Sequence, residues 1–254
     1  MADRHAASGL YLFTLLCAAQ TIATTISTES TRQDAFINYR EVSRKNEDWD
    51  PDVIAAVALV SSYGQIRLRL RRDWAPEACD QVARVAAAAS LRACNGCTFY
   101  RHEPAPPNWG VNGFYGPPYG LLQGGMPNLA SAVKFENTAR RAVRRGSAAF
   151  IAGSTDFFIG TVDHSEWGGA FTVFAQAEVE DLVSVVPLVP MEPYRNSTDQ
   201  YNFTTRWLLD RKPYSLRPLR LEDLMTSSAT AAAGRSTDDT AGLLATTADE
   251  EASL

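Results

Sequence analysis

The side chains best suited to binding chemistry lie in two parts of this 254-residue chain. In the first part, TFYR at residues 98–101 is followed, after a loop rich in proline and glycine, by LLQGG at residues 121–125. Arg101 and Gln123 supply hydrogen-bond donors, and neither is a nucleophile. The second part, residues 146–175, has two aromatic runs on either side of a polar loop that contains Trp167.

Taken separately, these residues have ordinary structural roles. The runs FFI at 157–159 and FTVF at 171–174 predict short strands in a β core, where aromatic residues are commonly buried. Arg101 alone would be an ion-pairing residue at a strand end, and Gln123 alone a turn residue. A hydrolase is not indicated. Asp163 and His164 are adjacent in the sequence, but the G-x-S-x-G motif that would supply a nucleophile does not occur.

Taken together, five segments in order resemble the cyclophilin family of peptidyl-prolyl isomerases. That family's pattern runs F-H-R, F-M-x-Q-G-G-D, G-S-Q-F-F-I, a loop with W or H, and H-x-V-F-G. The matching segments are FYR at 99–101, LLQGG at 121–125, STDFFI at 154–159, SEW at 165–167 and FTVFA at 171–175. The resemblance covers roughly residues 53 to 190 and is that of a divergent member.

The resemblance implies a mostly β fold with helices: a closed antiparallel eight-stranded β-barrel capped by two helices. It implies catalysis of rotation about Xaa-Pro amides, whose barrier is about 18–20 kcal/mol. No cofactor, metal or nucleophile is needed for this reaction. Arg101 would hydrogen-bond the prolyl nitrogen as resonance breaks, and Gln123 would position the substrate. The substrate-binding residues implied for the proline pocket are Leu121, Phe158, Phe171 and, at the rim, Trp167.

The chain departs from the family pattern at several of these positions. Gly120 replaces an aromatic residue, so we expect Tyr119 or Phe171 to fill that wall. Asp156 replaces a glutamine, and its carboxylate would pair with Arg101 and compete with substrate. Two functions therefore stay open: an isomerase with weakened activity that acts on secretory-pathway clients, or a silent domain that binds proline-containing segments or scaffolds in the lumen.

Local patterns predict the elements around the site. Residues 53–60 and 65–70 read as a β-hairpin, and the alternating arginines in IRLRLR at residues 66–71 predict its solvent face. Pro76 precedes a helix at residues 77–89. The remaining predictions are a helical segment at 132–143, a short helix at 179–186, an insertion at 194–210 and a closing strand at 214–221.

The composition predicts four regions along the chain. Residues 1–26 are a signal peptide or, as the alternative, a type II signal anchor, because the apolar run is short for a membrane span. Residues 27–50 form a polar stem, residues 51–225 the cyclophilin-like domain, and residues 226–254 a disordered low-complexity tail. The domain would lie in the endoplasmic reticulum or Golgi lumen or outside the cell, with membrane contact only through an uncleaved anchor.

The cysteines and the N-glycosylation sequons are consistent with a location in the secretory pathway or outside the cell. Cys79 is predicted to form a disulfide with Cys97 or Cys94, whereas a zinc site is not indicated because the CxxC has no second pair. Asn196 and Asn202 begin N-x-S/T sequons and are glycosylation candidates. The net charge of -5 argues against a nucleic-acid partner. The predicted partners are proline-containing peptides or proteins, and the domain is expected to be a monomer.

Overall fold

The computed structural model describes residues 53–89, 94–129, 131–137 and 140–225. The predicted signal segment, the polar stem and the low-complexity tail lie outside these residues. Within the described ranges, no helix combines the length and the apolar character needed to cross a membrane.

Eleven strands and two α-helices of the described residues are numbered along the chain, and residues 221–225 are also helical. The strands are β1 Ala56–Ser61, β2 Gly64–Leu70, β3 Thr98–Glu103, β4 Leu121–Gly125, β5 Ser147–Phe150, β6 Asp156–Gly160, β7 Thr172–Ala177, β8 Tyr194–Thr198, β9 Thr204–Leu208, β10 Lys212–Pro213 and β11 Ser215–Leu219. The helices are α1 Pro76–Ala89 and α2 Val179–Ser184, and short 3-10 segments occur at Val111–Gly113, Ser165–Trp167 and Val186–Leu188.

Nine strands form one antiparallel sheet in the order β10-β3-β4-β6-β5-β7-β2-β1-β11. The end strands β10 and β11 are separated along the chain by Tyr214 alone, so this bent segment completes a nearly closed barrel. The strand count is nine rather than the predicted eight because Tyr214 interrupts the last strand. The Tyr214 amide donates to Cys97 O at 3.1 Å, and its hydroxyl donates to Gly125 O at 2.8 Å.

Several predicted elements are present. The first hairpin, helix α1 and the closing strand β11 lie where the patterns placed them, and the predicted helix at 179–186 is α2 followed by a 3-10 turn. The predicted helix at 132–143 is wrong for the described part of that segment, which is irregular. Its backbone bonds to other elements instead: Val133 N–H donates to Ser154 O, and Glu136 N–H donates to Thr172 Oγ1.

The barrel has an inner core and a separate apolar cluster on its outer surface. Both helices contribute to the inner core, in which the rings of Phe150 and Phe174 stack with centroids 4.4 Å apart. Side chains alternate along β6, so Phe157 joins the inner core and Phe158 joins the outer cluster. The buried members of the outer cluster are Tyr119, Leu121, Val143, Ala149, Phe158, Phe171 and Val173.

The prediction that all the arginines of β2 face solvent is wrong for Arg67. This side chain is buried against α2, where its Nε and Nη2 and its backbone N–H all donate to the Asp181 carboxylate at 2.7–2.8 Å. The ion pair with Asp181 and burial have opposite effects, and the net result raises the pKa of Arg67. Arg69, two residues on, is exposed as predicted and pairs with Glu178 at 3.0 Å.

The predicted cysteine pairing is also corrected. Cys94 and Cys97 form the disulfide across a turn that contains Gly96, whose φ of 84° is a left-handed conformation suited to glycine. Cys79 is buried and keeps a free thiol that donates to Phe174 O. It does not reach Cys94 or Cys97 because it faces β7 from helix α1.

The predicted insertion contains a separate two-stranded sheet, β8 paired with β9. The sequon asparagines Asn196 and Asn202 are both exposed on this hairpin. Asn202 has a φ of 65° in the turn. Glycosylation at either position stays a prediction.

Candidate functional site

A β-bulge in β3 sets the orientation of the site. Phe99 pairs with Gly124 and Arg101 pairs with Gln123, so Tyr100 is an extra residue on β3. A bulge reverses the alternation of side chains beyond it. Phe99 therefore lies in the inner core, whereas both Tyr100 and Arg101 lie on the outer surface with Gln123.

A shallow pocket lies on this outer surface, and its space together with the adjoining open solvent is about 270 Å³. Eight residues line it: Arg101, Tyr119, Leu121, Gln123, Ile151, Phe158, Trp167 and Phe171. All six residues predicted for catalysis and substrate binding are among them. Tyr119 and Phe171, the two candidates to replace the missing aromatic side chain at Gly120, both line the pocket. Ile151 was not predicted, because an isoleucine next to a strand carries no distinguishing signal.

Arg101 is held by an ion pair that sequence reasoning missed. Its Nε donates to Glu103 Oε1 at 2.8 Å, and its Nη1 donates to Gln123 Oε1 at 3.1 Å. Within the described ranges, Nη2 donates to no protein atom. The Arg101 side chain is 12% exposed and that of Glu103 is 0% exposed, so the guanidinium can be reached from the pocket but its partner cannot. The i, i+2 spacing on one strand could have indicated this pair.

The predicted pairing of Asp156 with Arg101 is not observed. Asp156 instead interacts with the Tyr100 hydroxyl, and that hydroxyl accepts a hydrogen bond from Gln123 Nε2 at 3.0 Å. Burial is the main cause that raises the pKa of Asp156, and burial likewise raises the pKa of Tyr100. Tyr100 thus lies between Asp156 and Gln123 in this chain of hydrogen bonds, and Gln123 lies between Tyr100 and the Arg101 guanidinium.

The aromatic wall of the pocket is a set of edge-to-face contacts. Phe158 lies 5.5 Å from Trp167 and 5.0 Å from Phe171 between ring centroids, and Trp167 lies 5.2 Å from Phe171. Behind Trp167, the buried His164 ring stacks at 3.6 Å and its Nδ1 shares a 2.9 Å hydrogen bond with Glu166. Contacts of this kind hold the pocket in one shape before any ligand binds.

The β8–β9 hairpin lies against the opposite side of Arg101. The Arg206 N–H donates to Glu103 Oε1 at 2.9 Å, and Trp207 stacks on Tyr100 with centroids 5.8 Å apart. Phe203 packs against the outer apolar cluster. The hairpin therefore shields the polar side of the site from solvent, which the sequence did not indicate.

This arrangement can bind an apolar ring and direct a guanidinium N–H at it. Arg101 and Gln123 line a pocket whose remaining walls are aliphatic and aromatic, and the low polarity there strengthens a hydrogen bond to a ligand. Among the described residues, no group of three or more His, Cys, Asp or Glu side chains is placed to hold a metal ion.

The fold and site define a barrel domain with a pocket on its outer surface. A cyclophilin-type peptidyl-prolyl isomerase from Cryptosporidium parvum is similar to this chain, with 13% identity over 65% of this chain and 97% of its own, and a TM-score of 0.44. The structure of that protein in the presence of the dipeptide Ala-Pro has 13% identity over 65% and 98%, with a TM-score of 0.42.

A cyclophilin from Hirschia baltica is similar at 12% identity over 64% of this chain and 74% of its own, with a TM-score of 0.40. No protein-family model matches the sequence. No curated protein matches it either. All three of these structures are described as cyclophilins or cyclophilin-type isomerases, the family that the five sequence segments resemble.

Proposed function

We propose that residues 53–225 form a divergent cyclophilin-like domain that isomerises Xaa-Pro bonds of client proteins. The observation that carries the proposal is the position of Arg101 in the wall of a largely apolar pocket, with Nη2 not bound by any of the described residues. The resemblance of the five sequence segments supports it. Uncatalysed isomerisation takes about 10–100 s at room temperature, so even modest catalysis is measurable.

The chemistry assigns a separate task to each wall of the pocket. Leu121, Phe158 and Trp167 would enclose the pyrrolidine ring and exclude water from it. Arg101 Nη2 would donate to the prolyl nitrogen, which becomes a good acceptor only when the twisted amide loses its resonance. This hydrogen bond is stronger in the transition state than in the ground state, so it lowers the barrier.

The main role of Gln123 would be to hold the Arg101 guanidinium in position. Its Oε1 accepts from the guanidinium and its Nε2 donates to Tyr100, so both ends of the amide are engaged. Nε2 has a second hydrogen, which remains for a substrate carbonyl. Gln123→Glu would keep the acceptor and remove this donor.

The direct test compares the isomerisation rate of an Ala-Pro tetrapeptide with and without the purified chain. We expect acceleration by the wild type, loss of the gain in Arg101→Ala, and no effect of Arg144→Ala, which removes an arginine from the exposed surface. Equal rates with and without the wild-type protein reject the isomerase.

A second candidate function is a silent domain that binds proline-containing segments. It is favoured by the Arg101–Glu103 ion pair, because a neutralised and largely shielded guanidinium donates less readily to a substrate. Binding of the peptide at the pocket without rate acceleration would support this function.

We also propose that the domain works in the secretory pathway. The Cys94–Cys97 disulfide and the exposed sequons at Asn196 and Asn202 support the proposal. Expression in a eukaryotic secretory host should give a glycosidase-sensitive shift in mass. Asn196→Gln and Asn202→Gln together should remove that shift.

A further inference from the structure

An arginine-bearing segment is fixed to the wall of the pocket. Arg140 and Arg141 are both exposed. The Asn137 side-chain amide donates to Arg141 O at 3.1 Å and to Phe171 O at 3.2 Å. Phe171 lines the pocket, so one amide group links the two arginines to the pocket wall.

Trp74 continues this surface. It packs against the same outer apolar cluster that includes Phe171. The Arg71 guanidinium carbon lies 3.6 Å from the centroid of the Trp74 ring, and that of Arg141 lies 5.1 Å from it. Cation–π contacts of this kind hold guanidinium groups in place without neutralising their charge.

The charges on this surface are unbalanced. Asp73 binds Arg71 at 2.6 Å, and its pKa is lowered first by Arg71 and to a smaller extent by Arg141. In the described part of the chain, no carboxylate lies within ion-pair distance of Arg140 or Arg141. The guanidinium groups of Arg71 and Arg141 therefore act on one carboxylate, and the exposed Arg140 adds a third positive charge to the same segment.

The neighbouring arginines have a different environment. Asp163 pairs with Arg144 at 3.4 Å and accepts the Arg145 N–H at 2.8 Å. Both residues lie on the far side of Val143 from Arg140 and Arg141 along the chain. They offer a matched control with the same change in charge.

We propose that Arg140 and Arg141, together with Arg71 and Trp74, bind an acidic side chain of the client close to its proline. Guanidinium groups recognise carboxylates through paired hydrogen bonds, which gives selectivity for Asp or Glu over neutral residues. The substrate class is therefore Xaa-Pro segments with an acidic neighbour. This inference rests on the proposed function of the pocket.

The test uses two matched peptide sets in which the residue on either side of Ala-Pro is Glu or Gln. Binding is followed by titration and isomerisation by exchange NMR, with the full chain in each case. In one of the two sets, we expect the Glu peptide to bind about fivefold more tightly than its Gln counterpart at low ionic strength, which is the effect of an exposed ion pair. The preference should shrink at high salt.

Two double variants distinguish an effect of these particular arginines from an effect of net charge. Arg140→Gln with Arg141→Gln should abolish the Glu preference, while Arg144→Gln with Arg145→Gln should keep it. Equal binding of Glu and Gln peptides by the wild type overturns the inference. A Glu preference that both double variants keep, or that both lose, overturns it as well. The isomerase proposal stands in either case. Glu-selective binding without isomerisation supports the inference and rejects the isomerase. No binding of any peptide overturns both.

Discussion

Arg101 donates from Nε to Glu103 Oε1 at 2.8 Å, and the accepting carboxylate is completely buried. Glu103 also accepts the Tyr119 N–H at 2.8 Å and the Arg206 N–H at 2.9 Å. One carboxylate thus joins strand β3, the loop before β4 and the outer hairpin. The direction of the Arg101 guanidinium depends on all three segments.

Glu103→Ala should lower the free energy of unfolding by about 3–5 kcal/mol. Removing one partner of a buried ion pair leaves the other charge without compensation. In this case two backbone N–H groups would also lose their acceptor. Glu103→Gln keeps an acceptor and should cost less. Urea unfolding followed by fluorescence measures both.

The control for this prediction is Arg144→Ala. The Arg144–Asp163 pair has side chains that are 61% and 58% exposed, and such pairs contribute about 0–1 kcal/mol. A loss in Glu103→Ala no larger than that in Arg144→Ala would contradict the role of Glu103 as the junction of the site.

Asp156→Asn should stabilise the protein at neutral pH. Burial, the largest cause, raises the pKa of Asp156 above its usual 3.8, partly offset by the Tyr100 hydrogen bond and the charge of Arg211. The folded form therefore binds the proton more tightly than the unfolded form. The contribution of Asp156 to the free energy of unfolding is therefore highest below pH 3.8, falls as pH rises towards the folded pKa, and stays reduced above it.

The advantage of Asp156→Asn over the wild type should consequently grow as pH rises from below 3.8 to 7. Asn still accepts from the Tyr100 hydroxyl, so the hydrogen bond is kept. Asp210→Asn, at an exposed position, serves as the control. An advantage that is the same at every pH would show that burial of the charge is not the cause.

The elements that the sequence predicted correctly are those with local signals. Helix α1 begins at Pro76, which has no amide hydrogen to lose at a helix start. Strands β1 and β2 pair as adjacent segments through a tight turn. The pocket residues came from segments whose order resembles one family, and the structure brings all six to one pocket.

What the sequence did not reveal depends on contacts between distant residues. Arg67 reads as a solvent-facing residue of an alternating strand, but Asp181, 114 positions away, and the neighbouring Glu180 make its burial favourable. The bulge at Tyr100 is equally hidden, because it appears only when β3 pairs with β4. The 132–143 segment has helical periodicity, but its amides bond to Ser154 and Thr172 instead.

Cys79 should resist alkylation in the folded protein. Its thiol is buried, and burial raises the pKa of Cys79 to about 12, so the reactive thiolate is scarce at neutral pH. Mass spectrometry of digested, alkylated protein should find Cys79 unmodified when alkylation precedes unfolding. It should be modified when alkylation follows unfolding without reductant. Cys94 and Cys97 should need reduction first, and finding Cys79 linked to either one would contradict the observed pairing.

Gly120 cannot be replaced by the aromatic residue of the family pattern, because the backbone there excludes it. Its φ is 57°, and an added Cβ would lie 2.7 Å from Val162 Cγ2. Gly120→Ala should lower the free energy of unfolding by about 2–3 kcal/mol, which combines left-handed strain with crowding. Gly153→Ala isolates the strain, about 1–2 kcal/mol, because φ is 76° there but no atom lies within 4 Å. Equal losses of unfolding free energy in the two variants would show that crowding at Gly120 does not contribute.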